Sequence, residues 1–256
     1  LGADLSTVGL SCPSMPAPPR PLDVDTVFLD VGGVLLLPEH RTIGRAFATV
    51  GARAESRLLD AAHYTALAEA ESADGPAPPI DYWVAYARAA GLPRALVEPA
   101  AAAVRRVQDT RPLFTRPLPG CRAGLRALAA TGVRVALVSN TEHGHIEATL
   151  RRLGVCQVGP GRGVLLAAAV DSHVVGVAKP DPAIFELALQ RAGAERSRTA
   201  HVGDSLRIDV AGAVAAGLIP IHLDPHRLCP RDDHRHVISL VALAAVIDGQ
   251  GREPVG

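Results

Sequence analysis

Behind a proline-rich start, the first apolar run is Thr26-Val-Phe-Leu-Asp30, which ends in a carboxylate and meets Gly32-Gly33. That pattern predicts a buried strand feeding a tight loop. Residues 34–38 (Val-Leu-Leu-Leu-Pro) predict a second short extended piece. The period then changes. Ile43, Phe47 and Val50 recur at helical spacing, as do Leu58, Ala62 and Leu67, and Val97, Val104 and Val107. Ala73-Asp-Gly-Pro-Ala-Pro-Pro79 interrupts these helices, since proline removes a helical N–H and clashes with the preceding turn. No strand is expected within 39–111. Pro112, Pro117 and Pro119 predict a stiff hinge at the exit.

From residue 120 onward extended and helical patterns alternate. Cys121–Ala130 reads as a helix, Val133–Val138 as a strand and Glu142–Leu153 as a helix. Leu165–Val170 follows as a strand, then Pro182–Arg191 as a helix with Asp181 at its N-cap and Pro182 at its first position. Thr199–Val202 and Ile219–Leu223 read as strands, Ser205–Ala216 and Ile238–Val246 as helices. Strand–helix units of this length predict an α/β fold, a parallel sheet covered on both faces.

Composition narrows the function. With 48% hydrophobic residues in 256, the chain can bury a sizeable core and is not a disordered segment. Lys+Arg and Asp+Glu are both 26, so no nucleic-acid or anionic-membrane partner is expected. No apolar stretch approaches the ~20 residues of a membrane helix. Cys12, Cys121, Cys156 and Cys229 are widely spaced with no C-x-x-C pair, which argues against zinc and a disulfide framework and fits a reducing, cytoplasmic setting. No secretory signal is read at the N-terminus. Residues 1–14, ahead of the lone Met15, read as an upstream extension.

Chemistry-bearing residues sit just past the carboxyl ends of four strands: Asp30, then Ser139-Asn140, then Lys179 in the loop after the third, then Gly203-Asp204 followed by Asp209. Lys179 is the only lysine. In an open parallel sheet those ends form the ligand crevice. A carboxylate can accept a phosphoryl group. A hydroxyl and an ammonium can hold its oxygens. Further carboxylates suit Mg²⁺. Helix starts behind Ser139 and Asp204 would add N–H groups for an anion.

Asp30-Val-Gly-Gly-Val, Val135-Ala-Leu-Val-Ser139-Asn, Gly176-Val-Ala-Lys179-Pro-Asp-Pro and His201-Val-Gly-Asp204-Ser-Leu-Arg-Ile-Asp209 resemble, in order and flanks, the four motifs of the haloacid dehalogenase superfamily. The resemblance covers about residues 23–248 and extends to the helical insert, which looks like that family's cap placed right after the first strand. It implies a Rossmann-like three-layer core at 23–38 and 118–248, and an inserted all-helical cap at 39–117. Residues 1–22 are then a disordered leader and 249–256 a tail. It implies Asp30 as nucleophile, Ser139, Asn140 and Lys179 as phosphoryl contacts, and Mg²⁺ on Asp30, the Gly32 carbonyl, Asp204 and Asp209. The expected substrate is a small phosphorylated metabolite, hydrolysed through an aspartyl-phosphate.

Gly32 departs from the pattern. Phosphatase members usually carry there a second Asp that acts as general acid and base. Such a group is worth ~10²–10⁴ in rate, while positioning and charge neutralisation carry most of phosphoryl transfer. Glu39, His40, His143 and His145 are the substitutes nearest in sequence. Dehalogenases of the family have Tyr at this position and lose the Gly-Asp pair, which is intact here. Phosphonate hydrolysis needs a cap lysine, and the cap has none. The alternative is a pseudo-phosphatase, a phosphometabolite- or partner-binding module without turnover. Tyr82, Trp83 and Tyr86 are expected to pack a helical hairpin, and His222, His226, His234 and His236 to lie on a solvated loop.

Overall fold

A computed structural model describes residues 22–71 and 81–248. Most of the expected leader, the tail from 249 and the helix-breaking run 73–79 lie outside the described residues.

Strand β1 (Thr26–Leu29) is buried throughout and alternates faces, with Val27 and Leu29 on one side of the sheet and Phe28 on the other. After β2 (Leu36–Pro38) the chain enters four helices, α1 (His40–Ala48), α2 (Ser56–Glu71), α3 (Tyr82–Ala89) and α4 (Arg94–Gln108). Glu39 starts the first of these, its carboxylate accepting from the N–H groups of Arg41 and Thr42 at 3.1 and 2.8 Å. Their apolar faces make a core of their own around Ile43, Phe47, Leu59, Trp83, Tyr86 and Val104. The polar atoms carried into that core are satisfied: the Tyr86 hydroxyl donates to the Leu59 carbonyl at 2.9 Å and the Trp83 indole N–H donates to Gln108.

The chain returns through β3 (Phe114–Pro117), antiparallel to β2. A hinge was expected here, and a two-stranded ribbon forms instead. Pro117 has no N–H to give, but it sits at the end of the ribbon opposite Leu36, where the lost donor breaks no interior ladder.

Next come α5 (Cys121–Ala130), β4 (Arg134–Ser139), α6 (Ile146–Arg152), β5 (Cys156–Val158), β6 (Val164–Leu166), β7 (Ala168–Asp171), α7 (Ser172–Val175) and α8 (Pro182–Ala192). Then follow β8 (Thr199–Gly203), one π-turn over Leu206–Val210 running into α9 (Ala211–Ala215), β9 (Ile219–Leu223), β10 (Arg235–Val237) and α10 (Leu240–Asp248). As predicted, Asp181 caps α8, accepting from the Ala183 N–H, with Pro182 in its first turn.

Three expected elements shift. The strand at 165–170 divides, because β6 pairs with β5 while β7 joins the main sheet. The helix from Glu142 begins only at Ile146, since Gly144 and His145 take positive φ of 65° and 87°. The helix from Ser205 opens with the π-turn.

The main sheet has the order β10-β9-β8-β1-β4-β7 and is parallel in every pairing. Leu125 and Leu128 of α5 and Leu243 of α10 cover the Val27 face, and Ile184, Phe185 and Leu189 of α8 cover the Phe28 face. This is the three-layer, Rossmann-like α/β core expected from the alternating pattern. Truncating the fully buried Phe28 to alanine would cost about 3–5 kcal/mol.

The histidine-rich stretch is not a solvated loop. His222 is 7% exposed and the ring of His234 only 1%, because the loop folds back over the edge of the sheet. Only His226 remains exposed, beside Tyr64 with ring centroids 5.3 Å apart.

Candidate active site

Strand β1 ends at Leu29 and delivers Asp30 to the crevice at the carboxyl edge of the sheet, its N–H donating to the Val202 carbonyl at 2.8 Å. The Lys179 ammonium arrives from the loop before α8. It donates to Asp30 Oδ1 at 2.7 Å and to Asp209 Oδ1 at 2.6 Å, with its side chain only 1% exposed. Asn140, directly after β4, fixes that loop. Its amide donates to the Lys179 carbonyl and accepts from the Lys179 N–H, both at 2.9 Å. The Asn140 side chain thus holds the lysine's backbone. Ser139 is buried beside it and lines the same cavity.

Asp209 is also held by the His201 ring at 2.9 Å and by the Ser205 N–H at 3.2 Å. A Cβ on Gly203 would come within 2.0 Å of the Asp209 carboxyl carbon, so only glycine lets the π-turn approach the strand. Gly33 is restricted in the same way. Its φ is +66°, and a Cβ there would lie 1.7 Å from Asp204 Oδ2.

The buried charges differ in their titration. Burial pushes Asp30 above the usual carboxylate range by more than the Lys179 ammonium returns. Burial likewise raises Asp204, to about 6, against a hydrogen bond from His63. For Asp209 burial is outweighed by Lys179 and His201, and its pKa falls well below the ordinary value. The same two carboxylates overcome the effect of burial on Lys179 and keep it an ammonium.

Carboxylate oxygens of Asp30, Asp204 and Asp209 lie within 4.8 Å of one another. Three buried carboxylates face a single ammonium there, an excess of acidic groups. An all-oxygen donor set with that excess fits a hard divalent cation such as Mg²⁺.

The four-helix segment supplies residues that strand-end reasoning missed. His63 of α2 places Nε2 2.6 Å from Asp204 Oδ2 and Nδ1 2.7 Å from the Tyr82 hydroxyl. The neighbouring Tyr64 hydroxyl donates to the Gly33 carbonyl at 2.6 Å. Glu71, at the end of α2, accepts from the Leu206 N–H at 2.7 Å and pairs with the Ser205 hydroxyl. The N–H groups behind Asp204, expected to face an anion, are therefore already taken by a carboxylate of the insert. In sequence these residues look like ordinary positions on an amphipathic helix.

Between the helices and the sheet lies a cavity of about 540 Å³. Asp30, Ser139, Lys179 and Asp204 form its polar floor, while Leu67, Tyr82 and Trp83 form its apolar wall. Tyr82 and Trp83 thus face the cavity, and Tyr86 belongs to the helical core. Among the substitutes for the missing acid, Glu39 is used in capping α1, and His40 pairs with Asp60 at 2.7 Å. His143 and His145 line the cavity, with His143 Nε2 2.7 Å from the Gln108 carbonyl. A Cβ on Gly32 would make only ordinary contacts, 3.6 Å from the Phe114 ring and 3.7 Å from Asp30 Oδ2.

The chain is similar to several known proteins. It is 34% identical over 131 residues to haloacid dehalogenase-like hydrolase domain-containing protein 3 of Mus musculus, a match covering 51% of this chain and 49% of that one. It is 33% identical over 111 residues to the pyrimidine 5'-nucleotidase YjjG of Escherichia coli, covering 43% and 46%. The matches span about half the length of these curated relatives. Among solved structures, a HAD-hydrolase YfnB from Bacillus subtilis bound to magnesium superposes with a TM-score of 0.54 at 16% identity, covering 90% of this chain and 99% of that one. The family profile itself matches residues 24–217, from the first strand through the last glycine-containing turn before β9. With its parallel sheet and the polar residues at its strand ends, the chain belongs to the haloacid dehalogenase-like hydrolase family.

Proposed function

We propose that this chain is a Mg²⁺-dependent phosphatase of small phosphorylated metabolites, with Asp30 as nucleophile and the four-helix segment as a cap. The reading rests on one observation above all: Asp30 and Lys179 meet at 2.7 Å on the floor of a cavity that also exposes Ser139 and Asp204. The similarity to a 5'-nucleotidase supports a phosphoric monoester as substrate.

Asp30, Asp204 and the Gly32 carbonyl would hold the ion, while Asp209, expected among its ligands, has Oδ1 engaged by Lys179 and His201 and would chiefly anchor the lysine from behind. The ion supplies neutralisation of charge at the phosphoryl oxygens when bound. An Asp30 oxygen attacks phosphorus in line, the ester P–O bond breaks, and an aspartyl-phosphate results. The Lys179 ammonium turns from Asp30 to a phosphoryl oxygen, and the Ser139 hydroxyl donates to another. Water then takes the phosphoryl group and frees the Asp30 carboxylate. No carboxyl group stands at residue 32 to protonate the leaving oxygen, so esters with good leaving groups, such as acyl or anomeric phosphates, suit the site best. The contacts of His63, Tyr64 and Glu71 close the cap over the floor and exclude bulk water.

A panel of phosphorylated metabolites, assayed for phosphate release with and without Mg²⁺, tests the reading. Asp30→Asn should lose at least about 10³-fold in kcat while keeping the parent's melting temperature. Full turnover by that variant would refute the nucleophile. No release from any substrate, together with no thermal shift from fluoroberyllate and Mg²⁺, would replace the phosphatase with a binding module.

A further inference from the structure

At the β9–β10 edge of the sheet, next to β8, lies a second cluster whose side chains take no part in the chemistry above. His222 on β9 and His236 on β10 are register partners on parallel strands, so their side chains leave the same face. The loop between them returns Cys229 and His234 to that face. One nitrogen from each of the three rings and the Cys229 Sγ lie within 4.8 Å of one another.

Hydrogen bonding fixes which nitrogens point inward. His222 Nε2–H donates to the Asp204 carbonyl at 3.2 Å, which leaves Nδ1 as its bare lone pair. His234 Nδ1–H donates to the Asp233 carboxylate at 2.7 Å, which leaves Nε2 bare. His236 Nε2 is buried and has no hydrogen-bond partner among the described residues. A polar atom buried in that way costs free energy unless something meets it. Outer-sphere acceptors that orient imidazoles, as the Asp204 carbonyl and Asp233 do, are typical of metal-ligating histidines.

Two of the ligand–ligand distances match the edges of a tetrahedron. Zn–N bonds of about 2.0–2.1 Å and a Zn–S bond of about 2.3 Å give N···N edges of about 3.4 Å and N···S edges of about 3.6 Å. His234 Nε2 lies 3.4 Å from His222 Nδ1 and 3.8 Å from Cys229 Sγ. Asp224 shapes the loop for this, its carboxylate accepting from the N–H groups of Leu228 and Cys229 at 3.0 and 2.9 Å.

We propose that His222, Cys229, His234 and His236 form a closed, four-ligand structural site for Zn²⁺ that ties the 224–235 loop to the sheet edge. The spacing of the cysteines had argued against zinc, and three histidines now supply what a second cysteine does not. Four protein ligands leave no open position, so the ion has a structural role. The imidazoles bind neutral, and the Cys229 thiol gives up its proton on binding.

The full chain, loaded with Zn²⁺ and freed of excess, is expected to retain one zinc per molecule by elemental analysis and to melt lower after chelation. Cobalt(II) in its place is expected to show intense tetrahedral visible bands and a thiolate charge-transfer band. Cys229→Ser, close to isosteric, should remove that band, whereas Asp204→Asn, which disables the rival carboxylate pocket, should keep it. No retained zinc would overturn the site. So would a weak octahedral cobalt spectrum indifferent to Cys229→Ser, or zinc lost with Asp204→Asn and kept with Cys229→Ser.

Discussion

Two polar clusters share one sheet, one at the ends of β1, β4 and β8 and the other on β9 and β10 beside it, and they are built on opposite principles. The pocket around Asp30 is all oxygen donors and one ammonium, and its acidic groups outnumber its base. Burial drives Asp30 and Asp204 upward while Lys179 holds Asp209 down, so the carboxylates titrate apart. The cluster around His234 is nitrogen and sulfur, three imidazoles and one thiol. Two of its three rings, His222 and His234, are oriented by hydrogen bonds on their outer edges. An excess of acidic groups in a cavity that opens to a ligand suits a site that must exchange its contents. Nitrogen and sulfur donors in a closed set suit one that keeps them.

Variants can separate the two. Among variants outside the reacting groups, the largest effect is expected from Gly33→Ala. The new methyl would meet Asp204 Oδ2 at 1.7 Å in a backbone conformation with φ of +66°. Displacing that carboxylate by about 1 Å should cost about 10²-fold in kcat/KM, read by phosphate release, with zinc content unchanged. If zinc falls too, the clusters are not independent. Asn140→Ala comes next. It removes both side-chain bonds to the Lys179 backbone, and a loss of about 1.4 kcal/mol of positioning would appear as roughly tenfold in kcat. A drop in melting temperature without a rate effect would instead make Asn140 purely structural. His226→Ala should do least, within about 0.5 kcal/mol in denaturant titration and without loss of zinc, because its ring lies against Tyr64 and outside the cluster. Zinc loss there would redraw the ligand set.

The contrast also shows what a sequence can display. Asp30, Ser139 and Asp204 were legible because each stands at or just past the end of a buried strand whose continuous apolar run announces where it ends, whereas Lys179, beyond α7, and Asp209, inside the π-turn, were legible through their motifs. The apolar runs likewise made the strands β1, β4, β8 and β9 legible. Strand β3 was hidden, since two of the three prolines in its neighbourhood mask an element whose residues are only half-buried. The delayed start of α6 turns on positive φ at His145, a conformation its composition does not announce. His63 and Glu71 depend on how one helix docks on a distant loop, a tertiary fact with no local pattern. The zinc-type cluster failed for a third reason. Its ligands are unevenly spaced over 222–236, and only the pairing of β9 with β10 brings the outer two together.

Glu71 carries a consequence for how the helical segment sits. Its carboxylate meets the backbone donors of Leu206 and Arg207, with the Ser205 hydroxyl alongside. The far end of α2 is thereby riveted to the turn that follows β8, and parting the two costs all three bonds at once.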